Sequence, residues 1–188
     1  VAGQNARIFA GAKDMLWAVI GLALMCLVIA GLAGQCSFSP GGPTIGPVHR
    51  FDAEAGLKED AANLAFPVRI PAVPDGWVPN SGNKNAIPGQ GGGPATTVGY
   101  VTTGKRFIQV TQTSATEEAL VKLQAPTSPS SGIQNVDGVS WIVYPGDNGE
   151  PVWIADFGDV RISLRGTADP AEFEALAKAM KAAKPLPK

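Results

Sequence analysis

The sequence predicts an α+β protein: one N-terminal transmembrane helix, then an antiparallel sheet of about six strands with two helices packed on one face. Three observations predict it. An unbroken apolar run fills residues 15–34, strand-like segments alternate with Gly-containing turns between residues 96 and 165, and helix-capping signals stand at residues 114 and 169. At 188 residues the chain is long enough for one domain and a tether. The expected division is 1–14 as a cytoplasmic N-terminus, 15–34 as the span, 35–65 as a Gly/Pro-rich tether with a short helix, and 66–188 as an extracytoplasmic α+β domain.

Residues 15–34 read MLWAVIGLALMCLVIAGLAG, and no Asp, Glu, Lys or Arg occurs from 15 to 49. Twenty residues rising 1.5 Å each reach about 30 Å, the thickness of a hydrocarbon core, where only a helix satisfies its own backbone groups. A cleaved signal peptide is the rival reading, with Gly31-Leu32-Ala33 as a small-x-small site, but its apolar region is ordinarily about 7–15 residues. Gln35 occupies the position before Cys36 where a lipoprotein box needs a small residue, which argues against lipidation. Arg7 and Lys13 precede the run, and the next basic residue is Arg50, so the N-terminus is expected in the cytoplasm and the remainder outside the plasma membrane. Gly21, Ala30 and Gly34 are the candidate helix-packing positions, Ala30 and Gly34 in small-xxx-small spacing; such residues are also simply common in spans. Cys26 and Cys36 lie about 15 Å apart along a helix, too far for a disulfide, so free thiols are expected.

Residues 37–47 form a Gly/Pro/Ser spacer and 53–64 a helix-compatible stretch. Phe66 to Pro71 is extended, leading into the turn Pro74-Asp75-Gly76 and the aromatic anchor Trp77. Residues 80–94 read as an Ω-like surface loop. Its glycines lack the following helix that a phosphate loop requires. A hairpin pairs 96–102 with 106–112, and Ser114 with Glu117 makes a capping box for a helix through Leu123. Asp137-Gly138 turns a second hairpin, 133–136 with 139–144, and Gly158-Asp159 a third, 151–157 with 160–165. Asp169, Pro170 and Glu172 open a last helix that aligns Phe173, Leu176, Ala177 and Met180 on one face. Its lysines, Lys178, Lys181 and Lys184, suit the C-terminal end of the helix dipole. Residues 100–123 and 153–176 form a weak repeat of strand, strand and helix.

A net charge of −1 gives no basic surface for nucleic acid. The lone histidine, His49, lies in the tether, which removes histidine-based triads and zinc sites from the domain. Asp147, Glu150, Asp156 and Asp159 gather in the last strands and turns, where an acid pair or a calcium site is conceivable and solvated loop acids are ordinary. No catalytic residue, cofactor or metal is expected. Trp77, Tyr100, Trp141, Tyr144 and Trp153 read either as a ligand groove or as core.

Lys13-Asp14-Met15, Phe66-Pro67, Pro71, Gly76-Trp77-Val78-Pro79-Asn80-Ser81, Val98-Gly99-Tyr100-Val101-Thr102, Gln112, Gly138-Val139-Ser140-Trp141 and Gly166-Thr167-Ala168 carry a resemblance. The chain resembles an actinobacterial family of single-pass membrane-anchored proteins, mycobacterial and corynebacterial in type, known only as a domain of unknown function. These motifs are turn and core signals and transfer no catalytic residue. The resemblance implies an actinobacterial periplasm or cell-wall zone as the domain's surroundings. The expected function is a non-enzymatic accessory subunit of a larger membrane complex of the cell envelope, with the respiratory bc–oxidase supercomplex as one host. Its partners would be the membrane and other integral membrane subunits. The alternative is a membrane-tethered lipid- or glycan-binding or carrier domain.

Overall fold

A computed structural model describes residues 3–32, 49–127 and 129–187, with side chains of the first helix described over 13–29. Gly34, Cys36, the side chain of Ala30 and the spacer 37–47 lie outside the described residues. The chain divides into two compact units, Val1–Gly46 and Pro47–Lys188.

The first unit holds α1 (Gly3–Leu32), rich in Ala and Leu, which favour helix. Among the described residues, no helix is long and apolar enough to cross a membrane, which corrects the expected transmembrane helix.

The second unit begins with α2 (Ala53–Asn63), capped by Asp52, whose side chain accepts from the Ala55 N–H at 3.0 Å. Seven strands follow: β1 (Val78–Ile87), β2 (Gly93–Val101), β3 (Phe107–Thr113), β4 (Gly132–Val136), β5 (Val139–Tyr144), β6 (Val152–Asp156) and β7 (Arg161–Gly166). Helix α3 (Glu117–Gln124) sits between β3 and β4, and α4 (Pro170–Ala182) follows β7. The strands make one antiparallel sheet in the order β1-β2-β3-β7-β6-β5-β4, so β3 and β7 meet at its centre, Val110 opposite Leu164.

Three features differ from the expected fold. The sheet has seven strands rather than about six because residues 80–87, expected as loop, continue β1. Their Asn/Gly-rich sequence is poor strand material, but an edge strand needs only one partner, and β1 pairs with β2 from Val78↔Val101 to Ile87↔Gly93. Asp60 of α2 ties the edge down, receiving the Thr96 hydroxyl at 2.6 Å and pairing with Lys84 at 3.2 Å. The cap of α3 is Thr116, whose hydroxyl accepts from the Ala119 N–H at 3.2 Å, rather than Ser114.

The third difference is the largest. The two helices of the repeat lie on opposite faces of the sheet. Phe173, Leu176, Ala177 and Met180 of α4 join Leu57 and Ala61 of α2 in a core with Val98, Tyr100, Ile108, Val110, Ile162 and Leu164. Ala119 and Leu120 of α3 pack instead with Ile87, Ala95, Tyr144, Val152 and Ile154 on the other side. Val110 and Leu164 face the same core, but six positions separate Val110 from the cap Thr116 and five separate Leu164 from the cap Asp169. In a structure of period two, one extra residue reverses the face from which the chain leaves.

Candidate functional site

The four acids gathered by sequence are dispersed into separate fastenings. Glu150 binds Arg165 at 2.8 Å, Asp156 binds Arg161, Asp159 binds Arg69 at 3.2 Å, and Asp147 accepts from the Thr127 hydroxyl at 3.0 Å. Asp156 and Asp159 border one small cavity at the β6–β7 turn, each engaged with an arginine, and no cluster of metal-ligating side chains occurs among the described residues.

Two of these pairs grip the β6–β7 turn from opposite sides. Arg69, 8% exposed, reaches Asp159 and lies 5.3 Å from the centre of the Phe157 ring. Its backbone is held by Gln112, whose amide accepts from the Arg69 N–H and donates to the Arg69 carbonyl, both at 2.8 Å. A buried glutamine thus acts as a short piece of strand for the segment preceding β1. On the opposite face, Arg161 donates to the Ala115 carbonyl at 2.7 Å while it holds Asp156.

The aromatic residues considered for a groove are core. Trp77, Tyr100, Trp141 and Trp153 are buried on the α2/α4 side, with Trp153 5.3 Å from Phe173, and Tyr144 is buried on the α3 side. Burial pushes the Tyr100 hydroxyl up to about 12. Tyr144 is also pushed up to about 12, first by burial and then by its 2.7 Å hydrogen bond to Glu117. Of the packing candidates on α1, Gly21 has open space where a side chain would be, and its neighbours Ile20 and Leu22 are exposed.

One concave surface, among several, combines residues that no local signal in the sequence links. Helix α3 covers only part of its face, leaving a groove of about 250 Å³ over β1, β2, β3 and β7. The registers set its floor in rungs. One runs Asn83, Thr97, Thr111, Ser163 and the next Ser81, Gly99, Gln109, Arg165. Leu123 and Gln124 of α3 form a wall. The Thr97 and Thr111 hydroxyls are 2.8 Å apart, Ser163 donates to Gln124, and Arg165 is neutralised by Glu150. The alternation is visible in retrospect: Val98, Tyr100, Ile108 and Val110 point to the core, while Thr97, Gly99, Gln109 and Thr111 share the other parity.

The fold and this site define a protein built on one seven-stranded antiparallel sheet, packed on one side and partly open on the other. The chain matches a family model described as "Protein of unknown function (DUF4245)" over residues 7–180, and it belongs to that family. No curated protein and no solved structure matches it.

Proposed function

We propose that this protein is a non-enzymatic accessory subunit of a larger membrane protein complex in an actinobacterial cell envelope. The observation that carries the reading is the surface of α1. Met15, Leu16, Trp17, Val19, Leu22, Leu24, Met25, Leu27, Val28 and Ile29 are all more than half exposed. They point in every direction around the helix. So large an exposed apolar surface suits burial against the apolar segments of other subunits. The plasma membrane is therefore the proposed location, and integral membrane subunits the proposed partners.

The non-enzymatic part is supported by the pairing of Glu150, Asp156 and Asp159 with arginines, which commits each acid to holding a loop. His49 is exposed at the start of the second unit. The actinobacterial setting is supported by the turn and core motifs around Gly76-Trp77 and Gly138 to Trp141.

Cell fractionation followed by native electrophoresis in a mild detergent tests the reading. The full chain is expected in the membrane fraction and migrating with a larger species. Leu22→Asp with Met25→Asp is expected to release it. Recovery of the parent chain as a soluble monomer would overturn the proposal.

A further inference from the structure

We infer that the groove over β1, β2, β3 and β7 is a binding site for a neutral saccharide. The side chains of Asn83 and Asn85 on β1 and Gln109 on β3 line the groove. Among the described residues, none of the three makes a hydrogen bond within the protein. Each amide presents two N–H donors and a carbonyl acceptor, the paired capacity that vicinal hydroxyls on a sugar satisfy in both directions. The Thr97 and Thr111 hydroxyls add acceptor capacity at the centre of the floor.

Charge selects among polar ligands. The cation on the floor, Arg165, is spent on Glu150 through bonds of 2.8 and 3.0 Å. The remaining polar lining is amide and hydroxyl, so an anionic ligand finds no unmatched cation and a cationic one no free carboxylate. Thr111 and Gln124 are 3% and 6% exposed at the back of the groove, Gln109 is half-buried, and Asn83 and Asn85 are exposed at its rim on the edge strand. The groove is therefore polar and neutral, with a sheltered back and a rim of accessible amides.

An aromatic ring adjoins this floor. A Cβ on Gly99 would come within 2.6 Å of the Phe107 ring, so the ring lies across the glycine on the same face as Gln109. A half-buried ring beside hydrogen-bonding groups offers an apolar surface to the C–H face of a pyranose. A cavity of about 250 Å³ admits one sugar ring with its neighbours projecting along the groove.

The site does not depend on α1, so its failure and that of the membrane reading are separable. The full chain, held in a detergent without a sugar headgroup, is titrated with maltose, mannobiose and lactose by saturation-transfer NMR, with digalacturonic acid as the anionic comparison. At least one neutral disaccharide is expected to bind with Kd about 1 mM or tighter. Gln109→Ala and, separately, the edge variant Asn83→Ala are each expected to weaken it about tenfold while the urea midpoint stays put. Absence of saturable binding by all three neutral sugars, binding that survives in both variants, or preference for the acidic sugar would overturn the inference. Loss of co-migration with a larger complex in both variants, without sugar binding in the parent, would overturn it too, by making the groove a protein contact.

Discussion

On the side of the sheet that carries α2 and α4, Val98, Ile108, Val110, Ile162 and Leu164 are buried under Leu57, Phe173, Leu176 and Met180. On the other side the same strands present Thr97, Gly99, Gln109, Thr111 and Arg165, and α3 covers only one end. The two faces share every backbone hydrogen bond and differ in what their side chains can do. The packed face carries the larger share of the hydrophobic free energy of folding, with a smaller cluster under α3. The part of the other face that α3 leaves open, with amides that have no partner among the described residues, contributes little to stability and is left available to something else.

The contrast is sharpest for single large residues. Phe173→Ala on the packed face should destabilise the protein by about 4 kcal/mol, through lost burial and the cavity left against Trp153. Urea unfolding reads this directly. Gln112→Leu is a subtler attack on the same face. It keeps side-chain volume but strips the partners from the Arg69 N–H and carbonyl, at a cost of about 3 kcal/mol. An effect near zero there would mean that the 66–71 segment is held by something other than Gln112.

Alkaline pH probes the packed face without mutation. The Tyr100 hydroxyl is raised from 10.0 to about 12 by burial, so the native state favours the protonated phenol. Its contribution is fully present below pH 10 and is lost as pH climbs toward about 12, removing about 2 kcal/mol. Denaturation curves collected across that window should fall for the parent and fall less for Tyr100→Phe. On the open face, Gly99→Ala should cost only about 1–2 kcal/mol, because the added methyl displaces the half-free Phe107 ring and the Ser81 hydroxyl rather than core. Altered Phe107 ring resonances by NMR would report that displacement.

Much of the packed face was legible in the sequence because its signals are local. Asp137-Gly138 turns the β4–β5 hairpin with positive φ at both residues, as the two-residue signal requires. Asp169, Pro170 and Glu172 start α4 with both halves of a capping box, and Phe173, Leu176, Ala177 and Met180 are its buried stripe. The helix expected at 53–64 is α2.

What was missed depends mostly on how strands and segments meet across the sheet. Strand β1 is stabilised by β2 and Asp60 rather than by its own residues. The sheet face chosen by α3 turns on one extra residue after Val110. The arginine partners of Glu150, Asp156 and Asp159 come from another strand or a remote segment. The groove takes Asn83, Thr97 and Gln109 from three strands that become neighbours only in register. The transmembrane expectation rested on 15–34, whereas no helix among the described residues is long and apolar enough to cross a membrane.

The most direct test of the division between faces is urea unfolding of the double variant Asn83→Ala/Gln109→Ala beside the parent. Neither side chain has a partner in the protein among the described residues, so the two unfolding free energies should agree within about 1 kcal/mol. A loss of about 3 kcal/mol or more, comparable to Phe173→Ala, would contradict the account by showing that the open face also holds the fold together.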